Sequence, residues 1–113
     1  MNVNPLIETA LASLNLPVEP DVYIGTADHI TYNYSDERPA LHADDTDRLD
    51  ETTVQVHYFT RGNPHPTKKA IRRLLKAAGF SIVTTQQFYE DDTKYTHVVV
   101  EVSINGEIDD QED

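Results

Sequence analysis

Residues 67–78 carry the strongest pattern in the chain, and that pattern limits the folds open to the rest. Their apolar residues recur three or four positions apart, which places them on one face of a helix. Those apolar residues are Ala70, Ile71, Leu74, Leu75 and Ala78. Asn63, or alternatively Thr67, can cap the start, and Pro64 suits a first helical turn. Gly79 stands where a left-handed C-terminal residue belongs. The segment is therefore predicted to be an amphipathic helix with defined ends.

Strand patterns lie on both sides of this helix. Residues 52–60 and 95–104 alternate between apolar and polar side chains, as half-buried strands do. Residues 80–89 are a further strand, and a polar hairpin loop joins them to the last one. Residues 22–24 and 29–34 are shorter strand candidates near the start of the chain.

A first helix is predicted over residues 4–14, with Asn4 as cap and Pro5 at the first helical position. The order of elements is then α-β-β-β-α-β-β. We expect an α+β fold: a single domain with a mainly antiparallel sheet and two helices packed on one face. The connection through the second helix could be a right-handed crossover.

The length of 113 residues suits one domain, which we place at residues 1–106. Residues 35–52 are acidic and poor in apolar side chains, so they predict a mobile loop. Residues 107–113 hold five acids in seven positions and predict a disordered tail. The chain has no cysteine, which excludes disulfides and thiolate chemistry. Without a signal-peptide pattern or a long apolar run, it is expected to be soluble and cytoplasmic.

The basic residues are concentrated on the helix over residues 67–78. Five of the nine basic residues of the chain lie there, with no acid among them. They are Lys68, Lys69, Arg72, Arg73 and Lys76. The rest of the chain has a net charge of −16, against +5 for this helix. Like charges at helical spacing repel one another unless a partner of opposite charge is present. The segregation therefore makes the five side chains candidates for a protein interface.

The acidic loop is the candidate counterpart of this basic face. Its interface candidates are Asp44, Asp45, Asp47 and Asp50. With His42 and Glu51 nearby, the same segment could in principle bind a metal ion. It contains no glycine and no D-x-D-x-D-G pattern, so a solvated loop or an interface is favoured over a metal site.

No motif for catalysis, cofactor binding or metal binding occurs in the chain. The G-x-S-x-G, G-x-G-x-x-G and Walker patterns are all missing from its 113 residues. His57 and His97 could neighbour each other across two strands, which would most simply be a polar sheet face. We therefore expect no enzyme, no cofactor and no catalytic or metal-binding residue.

Three interpretations of the basic helix face stay open: an ordinary solvated surface, a site for an anionic protein surface, or a site for nucleic acid. The −16 remainder would oppose a polyanion. The helix also lacks aromatic residues for base stacking, and its basic face lacks glutamine and asparagine for reading base edges. We expect no sequence-specific nucleic acid and no membrane as partner. A second copy of the chain is a possible partner, since one basic and one acidic face can bind head to tail.

The chain also resembles a known family over residues 22–102. The stretches that carry the likeness are 30–34 (ITYNY), the acidic segment 39–50, 53–60 (TVQVHYFT) with 61–63 (RGN), the helix and its exit at 68–80, and 89–97 (YEDDTKYTH). Their order and spacing resemble the tail terminator proteins of long-tailed bacteriophages, also called tail-completion or head–tail joining proteins.

The resemblance implies a structural protein of virion assembly. It implies an α/β fold and a hexameric ring that contacts the major tail-tube protein on one side and a head-completion or neck protein on the other. Residues 36–51 would correspond to the long loop that such proteins extend towards neighbours. The implied location is the host cytoplasm during assembly and then the head–tail junction of the virion. The alternative function is a small regulatory or nucleic-acid-binding module that uses residues 67–78; a hydrolase built on His57 or His97 is least favoured.

Overall fold

The structure is a computed structural model, and it describes residues 3–39 and 49–107. The helical elements are α1 (Asn4–Leu11), a 3₁₀ turn (Ala12–Leu14) and α2 (His65–Ala77). The strands are β1 (Val18–Pro20), β2 (His29–Pro39), β3 (Leu49–Thr60), β4 (Ser81–Tyr89) and β5 (Thr96–Glu107). The predicted α+β class and the predicted order of elements are confirmed.

The five strands form one mixed sheet in the order β1-β2-β3-β5-β4. β1 is parallel to β2, and every other pair of neighbours is antiparallel. Because β5 lies between β3 and β4, those two strands run in the same direction. The α2 helix therefore connects two parallel strands as a crossover, as the sequence indicated.

The first strand is not where the sequence placed it. Residues 22–24 are not a strand; β1 is Val18–Pro20, further towards the N-terminus. The chain turns away from the sheet at Asp21, whose φ is 65°, with the Val22 N–H donating to the Pro20 carbonyl at 2.7 Å. This tight turn leaves Val22 and Ile24 67% and 92% exposed. Apolar content alone could not place a strand only three residues long.

The α1 helix begins at Asn4 as expected but ends earlier, at Leu11. The prediction of Asn4 as the cap is wrong, because Val3 occupies the capping position without a side-chain hydrogen bond and Asn4 is the first residue of the helix. A 3₁₀ turn follows, and Asn15 ends it in the left-handed conformation with φ 58°. Asparagine adopts that conformation more readily than other non-glycine residues, which explains why the helical stretch stops at Leu14.

The predicted acidic loop over residues 35–52 is too wide, because both neighbouring strands extend into it. After a register shift at Ser35, β2 continues to Pro39, and β3 begins at Leu49. Backbone hydrogen bonds can pair two strands whether or not their side chains are apolar. The low apolar content of this segment therefore gave no sign that β2 and β3 extend into it. Residues 40–48 lie outside the described residues.

The predicted tail over residues 107–113 also begins too early. Glu107 belongs to β5, where its backbone pairs with Leu49 of β3. The same ladder that extends β3 therefore extends β5. Residues 108–113 lie outside the described residues.

The hydrophobic core lies between one face of the sheet and the two helices. Alternate residues of the central strands supply the sheet side: Ile30, Tyr32, Val54, Val56, Tyr58, Val98, Val100 and Val102. The helices supply Ile7, Leu11, Ile71 and Leu75, all fully buried. These residues form a single cluster, so both helices pack on the same face, as predicted.

A buried hydroxyl ties α1 to the sheet within this core. Tyr32 donates its hydroxyl hydrogen bond to the Glu8 carboxylate over 2.5 Å. Burial, and then the hydrogen bond to Glu8, raise the pKa of Tyr32. The tyrosine therefore stays protonated and the carboxylate has a fixed donor, which sets the position of α1.

The α2 helix begins at His65, two residues before its predicted start. Asn63 does act at this end: its side-chain oxygen accepts a hydrogen bond from the His65 N–H at 3.1 Å. Pro64 takes the formal capping position, and Thr67 lies inside the first turn. Neither of the two predicted caps, Asn63 and Thr67, is therefore the N-cap; Asn63 contributes a hydrogen bond from the position just before it.

The C-terminus of α2 confirms the predicted glycine ending. Gly79 has a φ of +106°, which side chains rarely adopt. The Phe80 N–H donates to the Leu75 carbonyl, and the Gly79 N–H donates to the Lys76 carbonyl, each over 3.0 Å. These two bonds are the Schellman pattern. Phe80 is buried in the core, so the ending fixes where β4 begins.

Gly79→Ala should lower the free energy of unfolding by about 1–2 kcal/mol, because alanine at this φ is strained. Gly62→Ala is the matched control, since Gly62 has no such φ and a Cβ there meets only the Thr60 side chain at 3.7 Å. Urea unfolding of both variants measures the difference. Equal losses would contradict the assignment of strain to Gly79.

Candidate functional site

The five cations predicted as an interface lie along the outer side of α2, and two of them form hydrogen bonds with side chains of β4. The Lys68 ammonium donates to the Gln87 side-chain oxygen at 3.0 Å. The Arg72 guanidinium donates to the Thr85 hydroxyl at 3.0 Å. Both partners are neutral, so these contacts position the two cations beside the edge of the sheet without cancelling their charge.

The other three cations, Lys69, Arg73 and Lys76, are exposed. Together with His65 and the two cations that contact β4, they line an open cleft of about 530 Å³. Among the side chains that the structure describes, no salt bridge joins any of the five cations to a carboxylate. The helix thus presents a continuous cationic face that β4 extends on one side.

Neighbouring cations on this face raise its energy. Lys68, Arg72 and Lys76 follow each other at intervals of four residues, and Lys69 and Arg73 repeat that interval beside them. Like charges at this spacing destabilise a helix by a few tenths of a kcal/mol per pair. An anionic surface that docks here would remove that repulsion.

The predicted acidic counterpart falls largely outside the described residues. This applies to Asp44, Asp45 and Asp47, and to the metal alternative with His42. The backbone of Asp50 lies in β3, opposite Pro39 of β2 and Gly106 of β5. The role of these four aspartates as an interface stays a prediction.

The opposite face of the sheet carries a row of rings that the sequence did not reveal. His29 stacks on Phe59 with ring centroids 4.7 Å apart, and Phe59 stacks on His97 at 4.2 Å. Tyr23 extends the row at one end, 4.3 Å from His29, and Phe88 meets His97 edge-on at the other. The row forms because these residues occupy matching positions on β2, β3, β5 and β4, and strand register is not readable from composition.

A polar chain crosses the same face and includes the two histidines singled out from the sequence. His57 and His97 are hydrogen-bonded, with Nδ1 of the first 2.8 Å from Nε2 of the second. Asn33 Oδ1 lies 2.8 Å from the other nitrogen of His57. Glu90 Oε2 lies 3.3 Å from the other nitrogen of His97. The predicted proximity of the two histidines is confirmed.

Both histidines of this hydrogen-bonded pair, His57 and His97, favour the neutral form. Burial, and then the charge of His97, lower the pKa of His57 to about 4. Burial also lowers the pKa of His97; the Glu90 carboxylate opposes this shift, and His29 adds to it. The pair can hold a hydrogen bond between the rings only while one of the facing nitrogens lacks a proton.

The described part of the chain contains no candidate metal centre. No three histidine, cysteine, aspartate or glutamate side chains among those residues are arranged to hold a metal ion. None of the described helices has both the length and the apolar character that a membrane span requires.

Comparison with known proteins found matches among solved structures. No protein-family model matches the chain, and no curated protein matches it. A chain in a solved structure of the virion of a native gene transfer agent (GTA) particle has a similar fold, with a TM-score of 0.60. The match covers 88% of this chain and 84% of the other, at 13% identity. At that identity the likeness shows a shared fold.

Acidification should destabilise the protein through His57. Its folded-state pKa of about 4 lies below the ordinary value of 6.5, so the unfolded chain takes up the proton first as the pH falls. Between about pH 7 and pH 5 this linkage should cost about 1–2 kcal/mol, allowing for partial exposure. Thermal or urea unfolding across that range measures it.

His57→Gln should reduce this pH dependence, because glutamine has no proton to gain. His65→Gln, at an exposed position on α2, is the matched control and should keep the wild-type slope. If His57→Gln lost stability on acidification as steeply as the wild type, the pKa assignment would be wrong.

Proposed function

We propose that this chain is a structural assembly protein of a phage or prophage tail. In this proposal it forms a ring, hexameric as the family resemblance implies, that ends the tail tube and joins it to the head. Its partners are other copies of itself, the major tail-tube protein, and a head-completion or neck protein. It acts in the host cytoplasm during assembly and stays at the head–tail junction of the virion.

The observation that carries this proposal is the cationic face of α2. Five cations share one helix, none has a carboxylate partner among the described residues, and the rest of the chain sums to −16. A protein surface with exposed carboxylates is the partner that this distribution fits best. Electrostatics of this kind sets register and encounter rate between subunits.

The fold likeness supports the proposal from a second direction. The similar chain belongs to the virion of a gene transfer agent particle, and it shares the fold over most of both chains. A fold by itself does not fix a function. Here it agrees with the resemblance in the order and spacing of the sequence stretches.

Nucleic acid suits the same face less well. The cleft beside α2 is lined by His65 and the five cations, with no phenylalanine, tyrosine or tryptophan for base stacking. The acidic remainder would also repel a polyanion at a distance. DNA binding is therefore an outcome that the experiment below must separate from self-assembly.

Arg73→Glu should weaken self-assembly, because it reverses one exposed charge in the centre of the cationic face. Light scattering across protein concentration and salt measures the mass of the particles. The wild type should exceed the mass of one chain, 12.8 kDa, and high salt should shift it towards that value. Arg73→Glu should need a several-fold higher concentration to assemble.

Lys94→Glu is the matched control, since it makes the same change in net charge at an exposed position away from α2. It should assemble like the wild type. Equal behaviour of the two variants would remove α2 from the interface. A wild type that stays monomeric at every salt concentration, and also with purified tail tubes added, would overturn the proposal, and salt-dependent DNA binding by that monomer would favour the alternative module.

A further inference from the structure

The two edges of the sheet differ in a way that suggests how copies meet. In the described part of the chain, no strand pairs with the outer edge of β4. β4 is nine residues long and contains no charged residue and no proline. β1, at the other edge, is only three residues long and ends in Pro20. Short strands and prolines limit backbone pairing at sheet edges, so β4 offers a longer unpaired edge than β1 does.

A β-bulge interrupts the regular pairing in only one part of β4. The pairing with β5 shifts register between Ile82 and Thr84, and from Thr84 to Tyr89 it is regular. Along these six residues of regular strand, every second residue therefore directs its N–H and C=O groups outward, away from β5. Such an edge is a template for pairing with another chain.

Exposed apolar side chains gather at both edges. On β4, Val83 and Phe88 are each 51% exposed and Tyr89 is 60% exposed. At the opposite edge, Val22 and Ile24 project from the turn that follows β1. Single exposed apolar residues need no explanation, but these are grouped at the two ends of one sheet, as interface residues are.

The charges beside the two edges are opposite. Lys68 and Arg72 lie against β4 through their hydrogen bonds to Gln87 and Thr85. Beside β1, Glu19 and Asp21 are exposed, and residues 15–28 contain no lysine or arginine. The β4 edge is thus apolar with cations beside Thr85 and Gln87 and with the acids Glu90, Asp91 and Asp92 only after its C-terminal end, whereas the β1 edge is apolar with an anionic border.

We propose that the outer edge of β4 in one copy binds residues 19–24 of the next copy. This inference rests on the proposed function and gives its self-contact two named surfaces. Pairing of β4 with another β4 would bring the Lys68 and Arg72 side chains of both copies together, which charge repulsion opposes. The contact is therefore heterologous, and its repetition closes into a ring when the rotation allows.

Two edge variants test this arrangement. The first, Val83→Glu with Tyr89→Glu, damages only the β4 edge. The second, Val22→Glu with Ile24→Glu, damages only the β1 edge. All four side chains are more than half exposed, so both variants should keep the wild-type circular dichroism spectrum and melting temperature. If either does not, glutamine at the same positions replaces glutamate.

Each variant alone should be monomeric, because every contact between two copies of the same variant would include the altered edge. A 1:1 mixture should form a species of two chains and no larger one, since one undamaged β4 edge meets one undamaged β1 edge. The altered edges both carry glutamates, so they repel each other and the ring cannot close. Light scattering and native mass spectrometry measure these masses.

Thr9→Glu with Ser13→Glu is the control, because it adds the same charge at exposed positions near α1. It should assemble like the wild type. The inference fails if either edge variant assembles as the wild type does, if the β1-edge variant forms dimers alone, or if the mixture stays monomeric. In each of those cases a wild type that assembles leaves the proposed function standing, whereas a monomeric wild type overturns both.

Discussion

The burial of Ile71 and Leu75 against the central strands determines the direction of every charge on α2. These two side chains lie in the core with the alternating valines of β3 and β5, so the cationic side of the helix must face outward. The Schellman ending at Gly79 then returns the chain directly into β4. One packing interaction therefore fixes both the cationic face and the unprotected strand beside it, and the proposed docking surface follows from the fold itself.

Much of this arrangement could be predicted because local patterns determine it. The apolar stripe of α2, the Asn63 hydrogen bond just before its N-cap and its glycine ending are all set by neighbouring residues in the chain. The order of elements and the α+β class followed from the alternation of helical and strand periods. The cationic face was also visible, since it needs only the helical spacing of five residues.

The remaining features depend on pairing between distant segments, which the sequence does not show. The position of β1 rests on a turn at Asp21 and a parallel partner in β2. The extent of β2 and β3 beyond Tyr34 and Thr52 rests on backbone ladders that leave no apolar pattern. The ring row on the open face and the order of β4 and β5 need the register of four strands. The sequence therefore does not indicate the edge proposed to bind a second copy, because that edge depends on β4 being the outermost strand.

Lysine labelling read by mass spectrometry tests the central claim most directly, because it reports which side of the molecule a partner covers. Lys69 and Lys76 lie on the cationic face, and Lys94 lies in the turn between β4 and β5, all three exposed in the isolated chain. If α2 is the docking surface, acetylation of Lys69 and Lys76 should slow several-fold in assembled protein relative to dissociated protein, while Lys94 changes less. Equal labelling of all three lysines in both states would contradict the account.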